Sequence, residues 1–297
     1  MEMLKELTQL WGVSGLENDV SDYIVEKVYP YADEIEVDAV GNLSVLKRGN
    51  GDARKKIMLS AHIDEVGLCV KQVGGLSAFV LYMNRVVFQN GTKGVIACSQ
   101  KIEDIKDSDI RQLYVDIGVS SKEEAEKLVS VGDCAIIEGG YEELANGRVL
   151  SKAIDNRVGC YILMDIIEKM KNPYHDIYFT FTVQEEVGLR GATVLSERIQ
   201  PDLGIAVDIT RAFDLPGEDY GTPVLGGGVA IKISDGSVIC DSGLTGELRK
   251  MAEGNQIPYQ MDPLYAGGTD IGAIMKSCQG VKTVGLSIPT RYGHTPH

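Results

Sequence analysis

Four strand-like runs in this chain give out on residues able to hold a metal ion. IMLSA leads into His62-Ile63-Asp64, YFTFTVQ into Glu185-Glu186, GIAV into Asp208, and VGLSIPTRYG into His294. A further carboxylate, Asp155, stands just before the apolar stretch RVGCYILM. Imidazole and carboxylate without thiolate suit zinc, cobalt or manganese, and a carboxylate can bridge two ions. A His-x-Asp pair lets the aspartate accept the second imidazole N–H, which fixes the tautomer. Two adjacent glutamates at a strand end let one bind metal while the other acts as base. Strict alternation would place Glu185 and Glu186 on opposite faces. Both reach one site only if the chain leaves the sheet there, which Val187-Gly188 permits.

Each of these residues also has an ordinary use. An Asp-Asn pair before a helix commonly caps it, and Asp155 could do only that. Paired glutamates commonly face solvent, and Asp208 before Thr210 could close a turn. His175, in the polar turn NPYHD, reads as structural or solvated, and His297 as uninvolved. The conjunction changes the balance, because open α/β sheets bind ligands outside the carboxyl ends of their strands. Other motifs are weaker. Gly226-Gly227-Gly228 precedes a strand and is a poor phosphate cradle. The GGTD run, Gly267 to Asp270, could line the pocket or cap a helix. There is no G-x-S-x-G elbow for a serine hydrolase.

The elements that must position these groups follow from periodicity. Leu4, Leu7 and Leu10 recur at helical spacing. Ser14 and Glu17 read as a capping box before a helix carrying Val20, Tyr23, Ile24 and Val28, with Pro30 as its stop. EIEVDAV, LSVLKR and KKIMLSAH read as strands. From residue 66 to 147 short strand-like runs (GLCVKQV, SAFVLYM, RVVFQ, GVIAC, LYVDIG, CAIIEG) alternate with turn residues. One helical stretch, SSKEEAEKL, interrupts them, with Ser120 as its cap. From 148 onward helix and strand alternate: RVGCYILMDIIEKMKN, DIYFTFTVQEE, RGATVLSERI, LGIAVDIT, GLTGELRKMAEG, DIGAIMKSC and VKTVGLSIPT. That alternation implies a parallel or mixed sheet with helices on its faces. The expected fold class is therefore α/β, with a discontinuous catalytic domain (1–65 plus 148–297) and an inserted, small β-rich domain (66–147).

Composition narrows the function. With 29 Lys plus Arg against 43 Asp plus Glu, the net charge is −14, a poor balance for nucleic acid or an anionic membrane. No apolar run reaches the ~18–20 residues of a bilayer span. MEMLKELTQL lacks the layout of a secretory signal, so a cytoplasmic protein is expected. The six cysteines form no CxxC pair and are expected to be reduced and buried.

Taken together, GVSGLENDV, DAVGNL, SAHIDEVG, DIGVSSKEEAE, VGD, SKAIDNRVG, VQEEVGLRGA, the Asp208 strand, YAGGTDIGAI and SIPTRYGHTP resemble the M42 family of metallo-aminopeptidases. This family holds glutamyl and deblocking aminopeptidases, some labelled endoglucanase or cellulase M, and the likeness runs in order through nearly the whole chain. It implies a zinc-peptidase-like catalytic domain with a PDZ-like or barrel-like insertion. It also implies two divalent ions per subunit (zinc or cobalt, alternatively manganese). His62 and Asp208 would hold one, Glu186 and His294 the other. Asp155 would bridge them, with a cis peptide to Asn156. Asp64 would orient His62, and Glu185 would be the general base. The implied partners are peptide substrates and further copies of the chain, as dimers or a dodecamer, with no nucleic acid and no membrane. Two departures bear on assembly: the stretch between Val70 and Val95 is short, and members of the family usually continue beyond the position of His297.

The expected activity is removal of N-terminal residues from peptides by metal-activated water. Two other classes compete. A glycosidase would use Glu185 with a second carboxylate and give no role to His62 or His294. A non-enzymatic assembly protein could keep the fold without the activity.

Overall fold

The computed structural model describes residues 1–70, 72–73, 78–99, 110–218 and 221–295; His297 lies outside them. Two helices, α1 (Glu2–Gln9) and α2 (Asn18–Val28), precede the strands β1 (Glu34–Val37), β2 (Leu43–Lys47) and β3 (Lys56–His62). After an intervening segment come α5 (Ile154–Lys169), β12 (Asp176–Thr182), α6 (Arg190–Ile199), β13 (Leu203–Arg211) and β14 (Val229–Ser234). The chain continues with α7 (Ser242–Gly254), β15 (Tyr259–Pro263), α8 (Asp270–Lys276) and β16 (Lys282–Thr290). The strands form one eight-stranded mixed sheet in the order β1-β2-β12-β3-β13-β16-β14-β15. Its centre is parallel: β12, β3, β13 and β16 all run the same way, while β2 and β14 flank them antiparallel.

Parallel strands covered on both faces need apolar residues at successive positions. β12, DIYFTFT, is buried from Phe179 through Thr182. Phe179 and Phe181 face the cluster built by α1, α2 and α5 through Leu7, Ile24 and Leu163. Each fully buried phenylalanine contributes about 1.5–3 kcal/mol. Along β3 the alternation is legible. Ala61 joins that same cluster, whereas Met58 packs with Leu195, Ile199 and Ile274 of α6 and α8 on the other face.

The intervening segment builds a second, antiparallel sheet of six strands. Its elements are β4 (Leu68–Cys69), β5 (Gln72–Val73), α3 (Ala78–Leu81), β6 (Arg85–Phe88), β7 (Lys93–Cys98), β8 (Leu113–Asp116), α4 (Lys122–Ala125) and β9 (Cys134–Ile137). Leu68, Leu81, Val86, Phe88, Ile96 and Ile137 give it its own apolar cluster. A hairpin, β10 (Glu142–Leu144) with β11 (Arg148–Leu150), leads back to the large sheet. No helix among the described residues is long and apolar enough to cross a membrane.

Several expectations need correction. The apolar run SAFVLYM contains α3 rather than a strand; Asn84 Nδ2 donates to the Val80 and Leu81 carbonyls and closes that single turn. The cap of α4 is Ser121, whose hydroxyl accepts from Glu124 N, while the Glu124 carboxylate accepts from Ser120 N. Of the six free cysteines only Cys160 and Cys240 are buried; Cys69, Cys98 and Cys134 lie half-buried on the thin second sheet, and Cys278 is exposed.

Candidate metal centre

The parallel strands deliver the proposed ligands to one edge. β3 ends on His62, level in register with Thr182 of β12. Asp208 is placed differently from expectation: β13 continues through it to Arg211, so it projects from within the strand. Beyond β16, His294 sits in a tight turn with φ 56°, as does Tyr292 with φ 60°. Asp155 opens α5 without capping it. The peptide to Asn156 is cis, and the residues around it are not helical.

The structure brings all five proposed ligands together with Glu185. His62 Nε2 lies 3.1 Å from Asp155 Oδ1, 3.7 Å from Asp208 Oδ1 and 3.9 Å from Glu185 Oε2. His294 Nε2 lies 3.3 Å from Asp155 Oδ2 and 3.3 Å from Glu186 Oε2. The two oxygens of Asp155 thus face two different imidazoles, and each imidazole has a second carboxylate beside it. His62 Nδ1 sits 3.1 Å from the Asp64 carbonyl. A carbonyl only accepts, so Nδ1 carries a hydrogen, and when the ring is neutral its Nε2 lone pair faces Asp155 and Asp208. Lone pairs crowded in this way require a cation or protons among them. Atoms this far apart suit ions bound at about 2.0–2.2 Å. Glu186 Oε1 is buried with no hydrogen-bond partner, which further marks a donor set fit for metal.

Electrostatics tell the same story. Burial, with Asp208, Asp270 and Glu186 nearby, pushes the Glu185 carboxyl up to about 10. Burial and the Asp155 charge push Glu186 up to about 7 and Asp208 up to about 8. The hydrogen bond to Asp155 and the charge of Glu186 raise His294 to about 9. Burial disfavours the His62 imidazolium, but Glu185, Asp155, Asp64 and Asp208 outweigh it and hold its pKa well above the ordinary value. Burial likewise opposes charge on Asp155, and the bonds from His294 and His62 prevail, lowering it well below the carboxylate range. The cluster as a whole carries more negative charge than its surroundings can solvate.

Around the proposed ligands lies a supporting layer that the sequence only partly signalled. Asp64 is fully buried. It accepts from Ser14 Oγ at 2.6 Å, Glu185 N at 2.9 Å and Glu186 N at 3.2 Å, and its Oδ1 is 3.4 Å from His62 Nδ1. Asp270, noted only within GGTD, is also buried; Ser60 Oγ and Thr182 Oγ1 both donate to its Oδ2, at 2.5 and 2.6 Å. A buried charge network escaped the sequence reading. Lys152 Nζ donates to both Glu65 oxygens at 2.9 Å, and Arg157 Nε donates to the Ile63 carbonyl at 2.9 Å. The only hint was that these residues occur in SAHIDEVG and SKAIDNRVG. His175, as expected, is structural: its Nδ1 accepts from Lys55 N.

Known proteins resemble this chain along nearly its whole length. A relative from Acetivibrio thermocellus is 42% identical over 306 residues, covering 99% of this chain and 92% of its own. A solved aminopeptidase from the archaeon Desulfurococcus kamchatkensis superposes with TM-score 0.93 at 36% identity, covering 99% of this chain and 88% of that one. The TET1 peptidase of Pyrococcus horikoshii gives TM-score 0.85 at 32% identity, covering 99% and 92%. The family model for M42 glutamyl aminopeptidase matches residues 41–297. The chain belongs to the M42 glutamyl aminopeptidase family, and it is a hydrolase of the aminopeptidase class.

Proposed function

We propose that the protein removes N-terminal residues from peptides with a water molecule activated at a two-cation site. One observation carries this reading: the two oxygens of Asp155 face His62 and His294 separately, and each pair is completed by a carboxylate. His62 and Asp208 would hold one ion, Glu186 and His294 the other, with Asp155 shared between them. Zinc or cobalt fits this donor set, and manganese is the alternative. When bound, such ions supply Lewis acidity toward water and the scissile carbonyl. Asp64 holds the His62 ring in the tautomer that presents Nε2. Glu185 is the base, its Oε2 3.9 Å from His62 Nε2. It takes the proton of the attacking water at that carboxylate and returns it to the leaving amine. A glycosidase would leave both imidazoles and the shared aspartate idle.

The test is a panel of aminoacyl-p-nitroanilides assayed with each metal and with chelator. Glu185→Gln should retain its metal and lose about 10²–10⁴-fold in kcat. Normal peptide cleavage by that variant overturns the assignment.

We further propose that residues 66–147 form an inserted unit used for assembly, while 1–65 and 148–297 make the catalytic unit. The second sheet has its own apolar cluster, which supports an independent unit. The TET1 peptidase of Pyrococcus horikoshii can assemble into a tetrahedron or a large octahedral shell, which supports a homo-oligomer. Light scattering of the purified chain checks this; a monomer at micromolar concentration would overturn it.

A further inference from the structure

The segment from Gly12 to Glu17 reads locally as a helix cap, yet neither polar side chain caps α2. That helix starts at Asn18, and Glu17 occupies the cap position without a side-chain cap bond. Ser14 Oγ instead donates to Asp64 Oδ2 at 2.6 Å. The Glu17 carboxylate, only 5% exposed, accepts from Gly15 N at 2.7 Å and from Gln184 N at 3.1 Å through the same oxygen. The segment is itself fastened beside the exit of β3: Val13 bridges Glu65, and Glu65 N donates to the Gly12 carbonyl at 2.9 Å.

These contacts meet at one place. β12 ends at Thr182, and the next four backbone N–H groups each go to a side chain from elsewhere in the chain. Val183 N donates to Asn42 Oδ1 at 3.0 Å, Gln184 N to Glu17 Oε1 at 3.1 Å, Glu185 N to Asp64 Oδ1 at 2.9 Å and Glu186 N to Asp64 Oδ2 at 3.2 Å. Gln184 has φ 54°, a left-handed conformation uncommon outside glycine. That reversal breaks the alternation and lets adjacent Glu185 and Glu186 both approach His62. A non-glycine residue stays in such a conformation only where its surroundings over-determine it.

We infer that Glu17 and Ser14 are positioning residues for the Gln184–Glu186 turn. Glu17 fixes the backbone at the reversal, and Ser14 fixes the Asp64 carboxylate that receives the next two N–H groups. The inference rests on the proposed roles of Glu185 and Glu186.

The test uses the full chain and four variants: Glu17→Ala, Glu17→Gln, Ser14→Ala and Ser14→Thr. A glutamine keeps an oxygen able to accept from Gln184 N, and a threonine keeps the hydroxyl. Glu17→Ala should lower kcat at least tenfold with KM within about twofold. It should also speed amide hydrogen exchange across residues 183–186 of the metal-free protein at least tenfold, and weaken zinc binding in calorimetry. Glu17→Gln should restore most of all three. Ser14→Ala should show the same pattern at roughly three- to tenfold, rescued by Ser14→Thr. Wild-type kcat, local exchange and zinc affinity in Glu17→Ala overturn the inference, even if its melting temperature falls. So does equal damage in Glu17→Gln and Glu17→Ala. If Glu17→Ala does not fold, Ser14→Ala decides by the same readouts. Glu185→Gln, run in parallel, separates the two claims. An active Glu185→Gln sinks the catalytic reading. An inactive Glu185→Gln beside a normal Glu17→Ala sinks only this one.

Discussion

Arg157→Leu probes how firmly the interior holds the site. Arg157 is fully buried, and its guanidinium donates to the carbonyls of Ile63 at 2.9 Å, Leu7 at 2.7 Å and Gly12 at 3.4 Å. Leucine fills much of the space but donates nothing. The losses are unequal. The Leu7 carbonyl keeps a bond from Leu10 N at 3.3 Å, and that of Gly12 keeps one from Glu65 N at 2.9 Å. Each of these two forfeits about 1 kcal/mol, while the Ile63 carbonyl, stripped of its Arg157 donor in the interior, costs about 1–3 kcal/mol. Glu65 is not orphaned, because Lys152 still holds both its oxygens at 2.9 Å. The total is then about 3–5 kcal/mol. At about 2.1 cal/mol/K of unfolding entropy per residue, a chain of 297 residues should melt about 5–8 °C lower. Scanning calorimetry of the metal-free protein measures this. Ile63 lies between His62 and Asp64, so zinc affinity should fall by about 10–100-fold as well. A melting point within about 2 °C of wild type would refute the view that this guanidinium supports the loop.

Three further outcomes follow from the same contacts. Lys232 and Asp262 form a completely buried pair at 2.8 Å, and Asp262 Oδ1 has no partner. Lys232→Met alone should cost about 3–5 kcal/mol by stranding that charge, and adding Asp262→Leu should recover much of it; equal melting points for single and double variants would argue against the pair. In Gly159→Ala the new Cβ would stand 2.3 Å from Asn156 Oδ1 and 2.7 Å from the Val207 carbonyl. That should displace α5 from β13 beside Asp208, destabilise by about 1–3 kcal/mol or more, and impair zinc binding in calorimetry; an unchanged zinc isotherm would contradict it. The pH dependence has a definite sign. In the metal-free protein Glu185, Glu186, Asp208 and His294 all have raised folded pKa values, to about 10, 7, 8 and 9. Between their ordinary and raised values the folded state binds more protons than the unfolded one, so stability falls as pH rises through that window. The gap in melting temperature between zinc-loaded and metal-free protein should therefore widen from pH 6 to pH 8, and zinc binding at pH 7 should release protons, seen as a buffer-dependent enthalpy. A gap that narrows would exclude this cluster as the zinc site.

The sequence was most legible where a residue's role depends on its own neighbours. The runs IMLSAH, YFTFT and GIAVDIT could only be buried strands, and strands of that kind end at a common edge. That is why the sequence alone groups His62, Glu185, Glu186 and Asp208. What stayed hidden was decided at long range. YQMDP, which forms β15, carries polar residues and a proline because it is an edge strand, and edges lack the apolar run that identifies central ones. Lys152, Glu65 and Arg157 look like surface charges, and only the fold turns them into a compensated interior network.

Ser14 and Glu17 show why local rules fail at a site in particular. S-x-x-E before an apolar periodic run is a sound helix start, yet α2 begins at Asn18, three residues later than a cap at Ser14 would place it. The turn after β12 holds three N–H groups that no strand or helix receives: Glu17 is drawn away to accept that of Gln184, and Ser14 donates instead to Asp64, which accepts those of Glu185 and Glu186. A helix N-terminus on the surface can be satisfied by water, whereas a reversed turn beside buried carboxylates cannot. The greater need takes the acceptors. The edge proposed to be catalytic thus draws its hydrogen bonds from three places, the segment near the start of the chain, the β3 exit and the β12 exit.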